Sequence, residues 1–275
     1  MIGVVLSSRA AKIERPDGAI VAYDVCGQGP PVVFVHGLTS FRQSWAPVTS
    51  LLADDATCVT IDLRGHGASS RATDYAMPAL ASDVRAAVER VGLGDAVIVG
   101  HSMGATVAAV YAAAYRPRGV VCVDSTLRFG DFAATVQARG DALCGDCTME
   151  AVLAIDHELG LDPYADIEAL ERRVRSFPGN VVLGLWETLL TTPADQLTAT
   201  AEAVVARITS PVLSIHGSWP PEGYEAWLKA LVPQAQVEVW NGGGHMLHLV
   251  DPVRFAERIR RLVADTAGRS KNLRK

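Results

Sequence analysis

The chain has 275 residues, enough for one large α/β domain or two small ones at roughly 100–200 residues per domain. Apolar residues make up 49% of it and charged residues 20%, which excludes fibrous and intrinsically disordered architectures. Thirty acidic against 25 basic side chains leave a net charge of −5, so no basic field draws in nucleic acid or anionic lipid, and neither is expected as a partner.

Met1 to Leu6 is apolar only briefly before Arg9 and Lys12, too short for a signal-peptide core, and no apolar run approaches the ~20 residues of a membrane span. A soluble, cytoplasmic protein with no membrane partner is therefore expected. Five cysteines are an odd number for a disulfide framework. Cys26, Cys58 and Cys122 lie in strand-like apolar runs and read as reduced core residues.

In chain order, Ala19 to Cys26 and Val32 to His36 read as strands, the second a β-branched run between Gly29-Pro30-Pro31 and Gly37. Trp45 to Ala53 has helical spacing, and Thr57 to Asp62 is the next strand. Pro78 to Val91 reads as a helix closed by Gly92, followed by a strand at Ala96 to Gly100, an alanine-rich helix at Ser102 to Tyr115 and a strand at Val120 to Asp124. Strands alternating with helices predict a parallel sheet covered on both faces. The alternation stops at Ser125. Helical patterns at Thr148 to Leu159, Asp166 to Phe177, Val181 to Leu190 and Asp195 to Arg207 predict an all-helical insertion over 125–207, between core segments 1–124 and 208–275. Strands resume at Pro211 to His216 and Gln236 to Trp240, followed by helices at Gly223 to Leu231 and Pro252 to Ala264, with the basic tail after Gly268 read as a disordered end.

The strongest local signal is Gly100-His101-Ser102-Met103-Gly104, between a strand and a helix. A serine hydroxyl is a poor nucleophile at neutral pH and must be held out on a sharp turn that admits only small residues two positions either side. Ser102 is the candidate nucleophile, and the helix it opens aims the Met103 N–H at any oxyanion formed there. A second donor, the Leu38 N–H, is expected from the Val35-His36-Gly37-Leu38-Thr39 loop. The base must accept the serine proton and return it near neutral pH, which selects histidine. His245, after Asn241-Gly242-Gly243-Gly244, is the first candidate and His248 the second. His36, His66, His101 and His216 sit at strand ends or glycine turns and are read as structural, and His157 as solvated.

With these motifs in place the chain resembles the α/β-hydrolase superfamily over nearly its whole length. His36 to Thr39 resembles its oxyanion loop, Asp62-Leu63-Arg64-Gly65-His66-Gly67-Ala68-Ser69 the turn after its fourth strand, Gly100 to Gly104 its nucleophile elbow, and Gly244-His245 to Asp251-Pro252 its histidine loop and last helix. The resemblance implies an eight-stranded, mostly parallel sheet flanked by helices, with an all-helical cap inserted after the sixth strand. It also exposes a departure: where most relatives place the triad acid, after the seventh strand, this chain has Ile215-His216-Gly217-Ser218-Trp219-Pro220-Pro221-Glu222, with Trp219 at the acid's position. Asp124, at the end of the sixth strand, corresponds to the acid position of haloalkane dehalogenases and zearalenone-type lactone hydrolases. Glu222, reaching back from a rearranged loop, is the alternative acid, and a water in its place or no acid at all is the remaining reading.

Cys144-Gly145-Asp146-Cys147 matches half a zinc site with no second pair and is read as a cap loop. Gly242 to Gly244 lacks the lysine and helix start of a phosphate cradle. Asp62 and Arg64 are expected to form a structural pair or turn. Leu127, Phe129, Phe132, Leu153, Leu183 and Trp186 from the cap, with Trp219, are candidate pocket residues, although helix-spaced apolar residues serve equally as cap core. The expected activity is hydrolysis of a hydrophobic carboxylic ester or lactone through an acyl-enzyme, with no metal or cofactor and with a small molecule as the partner; the sequence is also compatible with a homodimer. Two other readings stay open: a cofactor-free dioxygenase, lyase or C–C bond hydrolase using the histidine–acid pair, and a non-catalytic ligand receptor. Dehalogenase and epoxide-hydrolase chemistry is disfavoured, because those relatives carry aspartate where Ser102 stands.

Overall fold

The computed structural model describes residues 9–161 and 163–272, with side chains placed as far as residue 266. Eight strands form one sheet in the order β1-β2-β4-β3-β5-β6-β7-β8. Strands β1 (Arg9–Glu14) and β2 (Ile20–Gly27) are antiparallel to each other, and β2 is antiparallel to β4 (Thr57–Ile61). From β4 onward every pairing is parallel, through β3 (Pro31–Val35), β5 (Val97–His101), β6 (Gly119–Val123), β7 (Val212–His216) and β8 (Gln236–Val239). The eight-stranded, mostly parallel sheet expected from the sequence is therefore present.

Successive side chains of a strand point to opposite faces, and the central strands show that alternation without a break. Val33, Val35, Val59, Ile61, Ile98, Val120 and Cys122 enter one core; Val32, Phe34, Cys58, Val97, Val99, Val121, Val123, Leu213 and Ile215 enter the other. The first core is closed by α2 (Met77–Val91) and α3 (Met103–Tyr115), the second by α1 (Ala46–Leu52) and α12 (Pro252–Asn272). Burial on both faces explains why β5, β6 and β7 read as continuous apolar runs.

Between β6 and β7 the chain builds only helices among its described residues: α4 (Phe129–Gln137), α5 (Gly140–Leu143), α6 (Thr148–Glu158), α7 (Ile167–Ser176), α8 (Gly179–Thr191) and α9 (Ala194–Val205). After β7 come α10 (Tyr224–Leu231) and, behind β8, the single turn α11 (Leu247–Val250).

Several features depart from the sequence reading. Strand β1 escaped notice because its RAAKIE segment is polar and largely exposed at the sheet edge, without an apolar period. Helix α12 continues to Asn272 where a disordered tail was expected, and residues 273–275, like Met1 to Leu6, lie outside the described residues. Of the structural pair or turn expected of Asp62 and Arg64, the turn is present and the pair is not. Asp62 binds Arg42 and accepts the Ala68 N–H across the turn at 2.8 Å, whereas Arg64 grips Asp83 at 2.7 and 2.9 Å and Asp17 at 2.8 Å. No described helix is long and apolar enough to cross a membrane.

Candidate active site

In the strand order β4-β3-β5, the chain winds outward in both directions from β3 and β5, and the carboxyl ends of such strands leave a crevice at the reversal point. The loop after β3 and the turn after β5 meet there. Gly100 and Gly104 make the approach possible: a Cβ at 100 would overlap the carbonyl of Gly104, and one at 104 the carbonyls of Val35 and His36. Ser102, between them, sits at φ 51°, ψ −123°, a conformation that costs a non-glycine residue of order 1–3 kcal/mol. Its N–H donates to Val123 O at 2.9 Å, tying the turn to β6.

Ser102 and the candidate donors Leu38 and Met103 line one cavity of about 750 Å³. The amides of Leu38 and Met103 have no acceptor among the described residues, although neighbouring amides in both loops do. An unpaired N–H pair beside a candidate nucleophile is the arrangement an oxyanion site requires. Thr39, next in the first loop, holds φ 58°, and its carbonyl accepts from Arg173 Nε of α7 at 3.0 Å, with the guanidinium 5.0 Å from the Phe41 ring centre.

His245 reaches the same cavity from the loop after β8. Gly244, at φ 57°, allows that loop to pass beneath the Gly160 carbonyl, where a Cβ would overlap, and the His245 N–H donates to that carbonyl at 2.7 Å. The ring is buried, and its Nδ1 is 2.7 Å from Asp124 Oδ2. Asp124 is itself held firmly: φ is 46°, its N–H donates to Ile215 O at 2.7 Å, and its Oδ1 accepts the Gly217 N–H at 2.8 Å. The β7 loop, whose own carboxylate, Glu222, does not line the cavity, thus contributes a main-chain donor to the carboxylate of β6. Glu222 is exposed, does not line the cavity, and is held only by its main-chain carbonyl, 3.5 Å from Arg128 Nη2.

With Nδ1 given to Asp124, the proton-accepting nitrogen left to His245 is Nε2. Ser102 Oγ makes no hydrogen bond to the ring in this arrangement, and such bonds are often long until substrate arrives. Burial alone would lower the imidazole pKa, but the Asp124 hydrogen bond and charge, with a smaller contribution from Asp156, carry it above its ordinary value. The other buried histidines behave oppositely. His248 packs with its ring centre 4.4 Å from that of Trp45 and 4.5 Å from that of His101, meets no carboxylate, and is pushed down to about 3 by burial and by His245. His36 accepts the Leu63 N–H at Nε2 and so donates Nδ1–H to Gly37 O at 2.7 Å; burial drives it down to about 4. His101 Nε2 lies 2.9 Å from His245 O, supporting the loop that carries the ring.

Leu127, Phe129, Phe132 and Trp186 line the cavity, and Trp219, 75% exposed, stands at its mouth. Leu153 and Leu183 do not. Leu153 is buried in the larger core, and α6 instead turns Ile155, Asp156, Glu158 and Leu159 toward the cavity; α8 offers Leu185, Trp186 and Leu189 rather than Leu183. Sequence spacing located the helices without fixing which stripe faced inward. Residues 73–78, Asp131 and Asp156 also line the cavity and carried no sequence signal, because nothing in their neighbourhoods marks a loop or helix face as facing a site. Cys144 and Cys147 are exposed free thiols, remote from this lining.

Comparison with known proteins agrees with this architecture. Residues 32–258 match the alpha/beta hydrolase family. The chain is 31% identical over 239 residues to 2-(acetamidomethylene)succinate hydrolase of Mesorhizobium japonicum, covering 82% of this chain and 85% of that one. It is 30% identical over 260 residues to the pimeloyl-[acyl-carrier protein] methyl ester esterase of Xanthomonas axonopodis pv. citri, covering 88% and 98%. A thermophilic esterase from Thermogutta terrifontis, solved with malate bound, superposes with a TM-score of 0.75 at 24% identity, over 94% of this chain and 99% of that one. The sheet, the match over 32–258 and the full-length relatives together place this chain in the α/β-hydrolase family.

Proposed function

We propose that the protein is a serine-dependent hydrolase of a carboxylic ester or lactone, with Ser102 as nucleophile, His245 as base and Asp124 as the acid that orients it. The observation that carries this reading is the 2.7 Å contact between Asp124 Oδ2 and His245 Nδ1, in the same cavity wall as Ser102 and two unpartnered amides. Asp124 fixes the tautomer that leaves Nε2 free and stabilises the imidazolium. His245 takes the Ser102 proton as Oγ attacks the carbonyl carbon. The N–H groups of Leu38 and Met103 receive the negative charge that develops on the carbonyl oxygen. His245 then gives its proton to the departing alcohol and deprotonates the water that hydrolyses the acyl-enzyme. The two relatives named above act on unlike substrates, so a specific substrate does not transfer from them. The cavity's apolar lining, with Leu127, Phe129, Phe132 and Trp186, supports a fairly hydrophobic one.

The test is intact-mass detection of an acyl adduct on Ser102 with slowly hydrolysed aryl esters, beside turnover of Ser102→Ala. An adduct localised to Ser102 and a loss of about 10⁴-fold or more in turnover are expected. Ester turnover surviving in Ser102→Ala, or reaction by deprotonation with no adduct, would instead favour proton abstraction by the His245–Asp124 pair alone.

A further inference from the structure

The ionisable lining of the cavity, imidazoles aside, is of one sign. Asp74, Asp124, Asp131, Asp156, Glu158 and Glu187 line it, and no lysine or arginine does among the described residues. Four of these carboxylates are engaged. Asp74 caps the Ala76 N–H at 2.8 Å, Asp124 holds His245 and Gly217, Asp131 faces Arg128 at 2.8 Å, and Glu158 pairs with Arg139. Glu187 is exposed at the mouth. Asp156 is different: half-buried on α6 between Ile155 and the rest of the lining, its carboxylate makes no hydrogen bond among the described residues.

The charged and titratable groups that face it are His245 from the last loop, Arg173 from α7 and His157 beside it on α6. Burial pushes the Asp156 carboxyl up to about 6 against the pull of those three, and its charge in turn helps raise His245. Arg173 spends its Nε on Thr39 O, and His157 is bonded to Glu171 at 2.9 Å, so neither neutralises Asp156 by contact. A partly dehydrated carboxylate without a donor is unfavourable until something supplies one.

We propose that Asp156 is a specificity-determining residue: the substrate is an ester or lactone that presents a hydrogen-bond donor, best a protonated amine, to α6, and esters bearing a free carboxylate are rejected. The inference rests on the serine-hydrolase reading for the word ester, but the charge preference itself is a property of the cavity. A donor brought by the ligand completes the vacant hydrogen bond of Asp156. A ligand carboxylate meets the unpaired carboxylate of Asp156, and no lysine or arginine among the described lining residues is there to receive it.

The test uses methyl ketones of one chain length that end in ammonium, hydroxyl, methyl or carboxylate groups, titrated calorimetrically into the wild type and into Asp156→Asn at pH 7.5, with kcat and KM of the matching aryl esters in parallel. Wild-type affinity should fall in the order ammonium, hydroxyl, methyl, carboxylate, with about 10- to 100-fold between the ends. Asp156→Asn should compress that span at least several-fold, in KM more than in kcat. A carboxylate ligand that binds the wild type as tightly as the ammonium one overturns the proposal, and so does an unchanged span in a folded Asp156→Asn. If that variant does not fold, the wild-type order decides alone. Binding is read without turnover, so a chain that sorts the ketones as expected yet hydrolyses no ester would sink the serine-hydrolase reading only; a reversed order in an active esterase would sink only the role of Asp156.

Discussion

The floor and the roof of the cavity are held in place by different physics. On the floor, Ser102, Thr39 and Asp124 occupy φ of 51°, 58° and 46°, and two elbow glycines sit where any Cβ would strike a carbonyl. Over them, the described residues of α4 to α9 include no non-glycine residue at positive φ, and they contribute mainly apolar side chains. Strain of this kind persists only when the surroundings over-determine it. The floor therefore tolerates almost no change of geometry, whereas the roof can exchange one apolar side chain for another and still cover the site.

Substitutions on the floor should show this most strongly. Asp124→Asn keeps an acceptor for the Gly217 N–H and so keeps the fold, but it no longer fixes the His245 tautomer; turnover should fall about 10⁴-fold. Glu222→Gln should leave kcat/KM unchanged. Equal losses in the two variants, measured on one ester with melting curves as controls, would move the acid away from β6. The pH profile gives a second reading. Because His245 is raised above its ordinary value, kcat/KM in the wild type should climb through a pKa above 6.5, and that limb should move to lower pH in Asp124→Asn.

Next in size is the backbone packing of the elbow. A methyl group at Gly104 would press on the carbonyl of Val35, the last residue of β3, and on that of His36 just beyond it, main-chain groups that cannot step aside. Gly104→Ala should lose more than about 3 kcal/mol of stability, read as a lowered urea midpoint, and hydrolysis should fall with it. Gly140, a roof glycine with open space around its Cα, should accept alanine with no measurable loss.

The same contrast explains what could be read in the sequence. The floor was legible because its constraints are chemical and local: only glycine fits at 100 and 104, and a serine on that turn has few other uses. The strands were legible because β5 to β7 are buried on both faces. Asp124 needed more, since an aspartate at a strand end is ordinary until Trp219 is seen to stand where the acid is expected after β7. The roof was only half legible. Helical periodicity placed α6 and α8, yet it could not choose between Leu153 and Ile155, or Leu183 and Leu185, as the cavity side, because both members of each pair are apolar. Asp156 was missed because an acid beside His157 and Glu158 in a helix looks like part of a solvated face. Helix α4 was missed because its FGDFAATVQ segment begins with glycine and aromatic residues and has no side-chain cap.

Beneath the floor, histidines set the acid limit of the fold. His36, His66, His101, His216 and His248 all have pKa values lowered by burial, to about 4 for His36 and about 3 for His66 and His248. The unfolded chain binds protons at these sites below about pH 6.5 while the folded chain does not, so stability holds above that pH and falls as pH drops toward 4 and 3. Each such histidine contributes a slope of up to about 1.4 kcal/mol per pH unit. Asp156, raised to about 6, works in the opposite sense and offsets part of one of them, and His245 likewise favours the folded state at low pH until its own raised pKa is passed on the alkaline side. Urea midpoints measured between pH 8 and pH 5 should therefore be flat at first and then fall; a flat line throughout would contradict burial of neutral imidazoles.

The smallest effect is expected in the roof. Phe132 on α4 packs edge-on against Trp186 of α8, with ring centres 5.8 Å apart, and both line the cavity. Phe132→Leu removes an aromatic pair worth about 0.5–1.5 kcal/mol but leaves an apolar side chain in place. Stability should fall by about 1 kcal/mol, KM should change by less than about tenfold, and kcat should not move, since nothing in that contact reaches Ser102, His245 or Asp124. A collapse of kcat in this variant, with KM unaffected, would mean that the roof positions the reacting groups as well as covering them, as the bonds from Arg173 to Thr39 and from His245 to Gly160 would then require.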